Sequence, residues 1–387
     1  MAAATGFEGR PGLAALFARQ AAAAASNGSA MYADLCRTAS LDLATSSRLG
    51  DVLAPWADSR AGDMLPLRVL GAAHRLVLER QAPRLALFFP SVGGSAPDDA
   101  LGRSACYAAW VDALVKHADR LPALLASPPQ TNDPGRTAAL AGALQLVASA
   151  YDLPIRVHEL GASAGLNLLA DQVRLTWPGG AIGPASSPVH LGGAWEGAPV
   201  PPADVVPRVV ERVGCDLDPV DVTTTEGRLH LTSFVWPDQL ERLERLRAAY
   251  RLVETVPLTL VRADLLDHLR GLRPQEGSAL VVFHSSTWFY LDEQQRADAA
   301  DAFDRLGALA TPSAPVVHVA REYLGDAFGS SHAVVLQWWP VPASQSDHVP
   351  TAGVEVQYAD SPAHGLPVTW QPPHPVEPPV DVPADPR

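Results

Sequence analysis

Hydrophobic positions recur along this chain with two different periods, and the second replaces the first near position 150. In the first part, apolar residues recur every three or four positions, as at Leu140, Leu144 and Val147, which is typical of amphipathic helices. Asp133 and Pro134 precede that helix as a capping residue and a proline at the first helical position. The N-terminal part of the chain is therefore predicted to be helical.

From residue 155 onward, short apolar runs rich in β-branched residues alternate with helical patterns, as in βαβ units. Two of the helical patterns, 238–253 and 293–309, place their apolar residues on a single stripe. The predicted strands are residues 155–160, 205–214, 229–236, 258–262, 279–284, 315–319, 333–339 and 354–358. No helical pattern separates the last two strands, so we expect an antiparallel hairpin at the end of the sheet.

These patterns predict an α/β fold with a doubly wound, Rossmann-like sheet in residues 134–370, preceded by a helical subdomain in residues 1–133. Residues 178–202 are rich in glycine and proline and are predicted to form an inserted loop. Residues 371–387 contain seven prolines in seventeen positions, too many to pack in a core. They are predicted to form a disordered tail.

The composition of the chain narrows the classes of function. The net charge is −13 and Lys116 is the only lysine, so the clustered positive charge that binds nucleic acid is not expected. No apolar run approaches the roughly 20 residues that span a bilayer, so no membrane partner is expected. Three isolated cysteines indicate neither a disulfide framework nor a thiolate zinc site. We expect a soluble cytoplasmic protein whose partner is a small molecule, in an oligomeric state that the sequence leaves open.

The segment 155–168 carries the clearest candidate chemistry. Its residues predict a strand, a turn of small residues and the start of a helix, with Glu159 two positions before Gly161. In an open parallel sheet the first glycine-rich turn normally lies where ligands bind, and glycine lets a ligand approach the backbone closely. The same turn also suits close packing of a strand against a helix without any ligand.

Three segments together resemble a bacterial family of uncharacterised proteins. They are the motif 159–168, the upstream segment 128–136 and the downstream Val-Trp-Pro-Asp-Gln at 235–239. The resemblance covers roughly residues 12–370, and it implies no particular activity. It does imply that the helical and α/β parts form one recurring unit.

More widely, Glu159-x-Gly161-x-x-x-Gly165 and the strands after it resemble class I S-adenosylmethionine methyltransferases. The resemblance implies a methyltransferase-type sheet, bound S-adenosylmethionine and a small molecule as the methyl acceptor. Glu159 would approach the amino-acid end of the cofactor. The cofactor-binding residues that the resemblance implies are Glu159, Gly161, Ala162, Ser163, Gly165, Asn167, Asp216, Asp218 and Asp264.

Several of these residues have alternative roles. Asp216 or Asp218 would hold the ribose, whereas Asp238 is expected to cap a helix. Asp264 would recognise the adenine, or it caps the helix that follows it. His284, after a later strand, is the candidate catalytic base, or it is a hydrogen-bonded structural histidine.

The turn Gly161-x-Ser163-x-Gly165 also resembles the nucleophile elbow of an α/β-hydrolase of the hormone-sensitive-lipase group. The helical pattern before it argues against that class, because such an enzyme needs several strands before its elbow. A noncatalytic Rossmann-like binding protein is the third alternative, and scattered histidines favour no metal site. The residues of the hydrolase alternative are Ser163 as nucleophile, Asp264 as acid, His284 or His364 as base, and Gly93 with Gly94 as oxyanion loop.

Overall fold

The computed structural model describes residues 9–323, 331–346 and 351–376. The chain divides into two compact units. One unit combines residues 1–132 with 220–251, and the other combines 133–219 with 252–387. Residues 220–251, which the sequence placed in the α/β domain, therefore group with the helical unit.

Helices dominate the first unit and flank the sheet of the second. Helices α1 to α7 and α9 belong to the first unit, α8, α11 and α12 to the second, and α10 runs across the boundary between the two. The α-helices are α1 (Gly9–Ser26), α2 (Ala30–Leu43), α3 (Arg48–Leu53), α4 (Leu65–Leu78), α5 (Pro83–Ala86), α6 (Ala100–Lys116), α7 (Leu121–Leu124), α8 (Thr137–Tyr151), α9 (Thr225–Ser233), α10 (Leu240–Val253), α11 (Leu265–Gly271) and α12 (Glu293–Gly307).

The helical unit has a hydrophobic core of its own. Phe17, Tyr32 and Trp110 are buried in it, and the rings of Phe17 and Trp110 meet edge to face with their centroids 6.4 Å apart. Ser29 caps α2 by accepting from the Tyr32 amide, and its hydroxyl donates to Asp238. The prediction of an N-terminal helical region is confirmed.

The strands of the second unit form a nine-stranded sheet and a small three-stranded sheet. The large sheet has the order β5-β12-β11-β10-β9-β8-β1-β6-β7, and the small one has the order β3-β2-β4. The strands are β1 (Ile155–Leu160), β2 (Arg174–Trp177), β3 (Gly180–Ile182), β4 (His190–Gly192), β5 (Trp195–Gly197), β6 (Val209–Asp216), β7 (Thr259–Arg262), β8 (Ala279–Ser285), β9 (Val316–Tyr323), β10 (His332–Trp339), β11 (Val356–Ser361) and β12 (Val368–Pro375).

Strand β1 is the point at which the order of the large sheet reverses. From β1 the chain continues to β6 and β7 on one side, and it then returns to β8 and β9 on the other side, with all of these strands parallel. Both β1 and β8 are buried along their whole length. In open α/β sheets ligands bind at the carboxyl ends of the strands beside such a reversal. The predicted mixed α/β architecture is confirmed, and it places the end of β1 where a ligand would lie.

Two predicted elements differ from the structure. Residues 229–236, predicted as a strand, lie mostly in helix α9. Thr224 caps that helix by accepting from the Gly227 amide at 3.0 Å, and this local signal outweighed the short apolar alternation. Residues 178–202, predicted as a loop, contain β3, β4 and β5, whose three-residue lengths are too short to leave a pattern.

The end of the chain also differs from its prediction. Strands β10 and β11 pair antiparallel as expected, but they do not end the sheet, because β12 and β5 continue it. Residues 371–375, predicted as part of a disordered tail, lie in β12. Three prolines fall within this stretch, which pairs with β11 but not with β5, so each residue bonds on one side at most. The rest of that predicted tail, 377–387, lies outside the described residues.

Candidate functional site

The turn after β1 is held by hydrogen bonds to the neighbouring strand. The amides of Gly161 and Ala162 both donate to the carbonyl oxygen of Cys215, the penultimate residue of β6. Gly161 has φ +71°, and a Cβ at this position would lie 2.7 Å from Thr287 Oγ1. A side chain at 161 would therefore be strained both by its backbone conformation and by contact.

Two other residues of the turn also have a left-handed backbone conformation. Ser163 has φ +52° and Gly165 has φ +70°. The following residues, Leu166–Gln172, form a 3-10 helix where the sequence predicted the start of a helix. The turn thus differs from a simple strand-to-helix connection, because three of its five residues have a conformation that L side chains rarely adopt.

Glu159, the penultimate residue of β1, is buried beside this turn, with 1% of its surface exposed. Asn167 Nδ2 donates to its Oε1 at 2.8 Å, whereas its Oε2 has no hydrogen-bond partner among the described residues. Burial raises the pKa of the Glu159 carboxyl to about 8, although the hydrogen bond from Asn167 and the charge of Arg136 lower it. At neutral pH this carboxyl therefore holds a proton in the absence of a ligand.

Two more polar atoms at the turn are buried without hydrogen-bond partners in the described part of the chain. They are Ser163 Oγ and Asn167 Oδ1. Buried polar atoms in native proteins are nearly always hydrogen-bonded, so each exception needs an explanation. We call Glu159, the turn 161–165 and Asn167 the Glu159 loop.

Asp216, the last residue of β6, contacts the Glu159 loop. Its Oδ2 accepts from the Ser163 amide at 2.7 Å, and its Oδ1 accepts from the Asp218 amide at 2.9 Å. Asp218 itself is exposed and forms an ion pair with Arg262 at 2.8 Å. Of the two acids predicted for ribose, Asp216 is the one at the loop. Asp238 lies in the other unit, where it accepts from the Ser29 hydroxyl and from the Met31 amide at the start of α2.

Asp264 caps helix α11, which is the alternative to adenine recognition that the sequence suggested. Its Oδ1 accepts from the amides of Leu266 and Asp267, at 2.8 Å and 3.2 Å, and so caps α11. The carboxylate that was a candidate for adenine recognition is therefore engaged in holding the first turn of a helix.

His284, near the end of β8, belongs to a buried chain of hydrogen bonds. Gln337 Nε2 donates to the Gly353 carbonyl, so Gln337 Oε1 accepts from His318 Nδ1. His318 Nε2 then accepts from His284 Nε2 across 2.8 Å. On the other side, His284 Nδ1 is hydrogen-bonded to Glu322 Oε1 at 2.8 Å. We call Gln337, His318, His284 and Glu322 the His284 chain.

The surroundings of the His284 chain hold it in place. Trp288 stacks on the His284 ring, with centroids 3.5 Å apart and planes 7° apart. The Thr287 amide donates to Glu322 Oε1 at 2.8 Å. Burial and the charge of His284 lower the pKa of His318 to about 3, so that ring is neutral. Because both ring nitrogens of His284 have protein partners, the geometry argues against its predicted role as a catalytic base.

Arg321 and Arg136 are two cationic side chains that were not among the predicted site residues. Arg321 on β9 is fully buried, and the charge of Arg136 lowers its pKa. Both arginines also lower the pKa of His332, the first residue of β10. The available signal was a pair of charged residues, Arg321 and Glu322, at the end of an apolar run. The predicted strand stopped short of them at 319.

The residues of the hydrolase alternative do not come together. Ser163 Oγ has no hydrogen-bond partner among the described residues, so no described histidine is bonded to it. His284 is held by the His284 chain, and His364 Nδ1 lies 3.7 Å from Asp133 Oδ2. In the helical unit, a Cβ on Gly94 would lie 2.3 Å from the Ala86 carbonyl oxygen, so that glycine serves close packing.

Fold and site together define a class: a mixed α/β protein with a largely parallel sheet, and with a polar ligand-site candidate where its strand order reverses. The chain belongs to the family described as an uncharacterised protein conserved in bacteria, DUF2332, whose model matches residues 14–370. No curated protein matches it.

Two searches of the described residues bear on partners. None of their helices has the length and apolar character needed to cross a bilayer. No three histidine, cysteine, aspartate or glutamate side chains in the same residues are grouped so that they could hold a metal ion.

Proposed function

We propose that this protein is an S-adenosylmethionine-dependent methyltransferase that acts on a small molecule. One observation carries the proposal: Glu159 Oε2, directly before the glycine turn at the end of β1, is buried and has no donor among the residues that the structure describes. A buried carboxylate oxygen without a partner is costly, and a cationic ligand would remove that cost. The α-ammonium group of S-adenosylmethionine is such a cation.

The order of the strands supports the same proposal. Methyltransferases of this class place the cofactor loop after the central strand and an acid after the strand beside it. Here β1 is central, β6 lies beside it, and Asp216 at the end of β6 bonds the loop through the Ser163 amide. The five parallel strands β7, β6, β1, β8 and β9 would form the methyltransferase-type part of the sheet.

The residues present fit the cofactor. Glu159 would hold its ammonium group, and Gly161, with no side chain, lets Thr287 pack against the turn. Asp216 would hold the ribose hydroxyls, since each of its oxygens keeps a lone pair beyond the amide hydrogen that it accepts. The unpartnered atoms of Ser163 and Asn167 offer further hydrogen bonds. Asp218 is paired with Arg262 and Asp264 caps α11, so neither is needed for binding.

Methyl transfer is an in-line displacement that requires chiefly that donor and acceptor be positioned. When bound, S-adenosylmethionine would supply an electrophilic methyl group. The protein itself would orient the two ligands and exclude water. His284 would act as a positioning residue, because through Glu322 and Trp288 it holds the loop whose Thr287 packs against Gly161.

Calorimetric titration with S-adenosylmethionine tests the proposal. We expect the wild-type protein to bind it and its demethylated product, and Glu159→Gln to bind at least tenfold more weakly. Glu241→Gln, at an exposed position, is the matched control and should bind as the wild type does. Absence of binding by the wild type at millimolar ligand contradicts the proposal.

The titration also has a proton readout. Because the pKa of Glu159 is raised to about 8 in the free protein, the carboxyl is protonated at pH 6.5. A bound ammonium group would ionise it, so about one proton should be released per ligand. Titrations in two buffers of different ionisation enthalpy measure this number. Glu159→Gln should release none, and an equal release from both proteins would show that another group is the source.

A further inference from the structure

The buried Arg321 is unusual because its hydrogen bonds end on neutral oxygens. Its Nε donates to Ser361 Oγ at 2.7 Å, its Nη1 to Ser285 Oγ at 3.2 Å and its Nη2 to the Pro362 carbonyl oxygen. No ion pair joins it to a carboxylate within the part of the chain that is described. A buried charge without an ion-pair partner is costly, and burial lowers the pKa of Arg321 to about 9, although the charges of Glu322 and Asp133 raise it.

Arg136 adds a second positive charge at the same place. It ends the short turn before α8, and it is only half-buried. After burial, its charge is one of the causes that lower the pKa of Arg321 and of His332, which lie on β9 and β10. The turn at 362–365 contacts both arginines, because the Pro362 carbonyl oxygen accepts from Arg321 Nη2 and a Cβ on Gly365 would meet the backbone nitrogen of Arg136. Glu322, the carboxylate next in sequence to Arg321, is already bonded to His284 and to the Thr287 amide.

His332 supplies an independent observation. It has 1% of its surface exposed, its Nε2 lies 3.0 Å from Ser286 Oγ, and its Nδ1 is buried without a partner among the described residues. Burial and the two arginines lower its pKa to about 2, so the ring is neutral and carries one N–H. If the Ser286 hydroxyl donates to Nε2, the N–H is at Nδ1 and has no acceptor. Ser286 itself has φ +55°, a strained conformation for serine.

We infer that Arg136, Arg321 and His332 form a binding site for an anionic group, a carboxylate or a phosphate, of a second ligand. Arg136, being partly exposed, would touch the anion. Arg321, which is fully buried, would act from beneath through its charge, and His332 would donate one hydrogen bond. That the second ligand is the methyl acceptor rests on the proposed function, whereas the binding of an anion does not.

The sheet separates Arg321 and His332 from Glu159, whereas the charge of Arg136 acts on both places. Strands β1, β8 and β9 are neighbours in that order, and adjacent strands lie about 4.8 Å apart, so Arg321 stands about 10 Å from the strand of Glu159. In an amino acid the ammonium and carboxylate groups share one carbon atom. A cofactor whose ammonium lies at Glu159 would therefore leave the Arg321 side of the site to another molecule.

Chemical modification of the unaltered protein tests the inference. Phenylglyoxal modifies accessible arginines, and peptide mass spectrometry would follow Arg136 and the exposed Arg208 separately. Inorganic phosphate should protect Arg136 in a saturable manner, by at least tenfold, at constant ionic strength and relative to chloride. Arg208 should not be protected. Equal protection of both arginines, or of neither, overturns the inference.

Two further arms separate this inference from the proposed function. Arg136→Gln should abolish the saturable rise in melting temperature that phosphate produces, whereas Arg208→Gln should retain it. S-adenosylmethionine alone should leave Arg136 open to modification. If it protects Arg136 and competes with phosphate, the arginines hold the cofactor, and the second-ligand site is refuted. If phosphate protects Arg136 but S-adenosylmethionine does not bind, the proposed function fails while the anion site remains.

Discussion

Two buried polar regions lie on neighbouring strands of one sheet, and they differ in how fully their atoms are hydrogen-bonded. In the His284 chain no side-chain nitrogen or oxygen is buried without a partner, as far as the residues are described. In the Glu159 loop three side-chain atoms are buried without a partner among the described residues, one each on Glu159, Ser163 and Asn167. A satisfied network stabilises the fold, whereas an unsatisfied one is costly unless a ligand completes it. The comparison therefore indicates a structural role for the first region, and it supports the proposed binding role of the second.

The largest effect is expected from breaking the satisfied region. His284→Leu would leave Glu322 and His318 without their shared partner in a buried place. We expect the free energy of unfolding to fall by about 3–5 kcal/mol, as when one member of a buried ion pair is removed. Urea denaturation measures it. His190→Leu, at an exposed position, should change stability by about 0.5 kcal/mol or less. A loss as small as that control's would mean that the His284 chain is not a structural unit.

A smaller loss is expected from filling the turn. Gly161→Ala should destabilise the protein by about 2–3 kcal/mol, because its positive φ is strained for alanine and its Cβ meets Thr287. Gly277→Ala is the matched control, since Gly277 has φ +78° with nothing within 4 Å of the added Cβ. It should cost about 1 kcal/mol, the backbone strain alone.

A double variant separates the two contributions at the turn. Thr287→Ala removes the side-chain atoms that crowd position 161, so adding it to Gly161→Ala should bring the extra cost down to that of Gly277→Ala. Thermal or urea unfolding of the four proteins checks this. Strict additivity of the two substitutions would show that Gly161 and Thr287 are not in contact.

Glu159→Gln should stabilise the ligand-free protein at alkaline pH, the opposite of what it does to binding. The folded pKa of about 8 lies above the ordinary value of 4.5, so the native state keeps a proton that the unfolded chain has lost. Stability contributed by this group is present below pH 4.5 and declines as pH rises to about 8. At pH 8.5 the variant should gain about 1–2 kcal/mol over wild type. Unfolding from pH 5 to 8.5 tests this, and parallel curves for both proteins would contradict it.

The smallest effect is expected at Asp264. Asp264→Ala removes the cap of α11 and should cost about 1 kcal/mol of stability, without weakening the binding of S-adenosylmethionine. Asp264→Asn should recover most of the lost stability, because asparagine is also a good cap. Denaturation and calorimetric titration of the same samples check the two parts. A tenfold loss of affinity in the alanine variant would restore the adenine role that the sequence suggested.

Elements set by local interactions were predictable. Strand β1 was predicted at its observed bounds, because its apolar run is closed by a glycine turn whose positive φ angles few other residues adopt. The error at 229–236 had a local remedy, since Thr224 is a helix cap five positions upstream of that segment. The candidate ligand site at Glu159 could be predicted for the same reason, because Asn167, which bonds Glu159, is only eight residues away along the chain.

What the sequence by itself determined is therefore the helical N-terminal region, the strands β1 and β6 to β11, and the turn that follows β1. The tertiary structure alone decided which polar atoms are satisfied. His284 and Glu322 are 38 residues apart, and they meet because β8 and β9 pair in register. Arg136, Arg321 and His332 come from three separate elements, and no spacing along the chain links them. Hydrogen bonding and charge depend on distances across the sheet, which strand pairing sets and which periodicity does not contain.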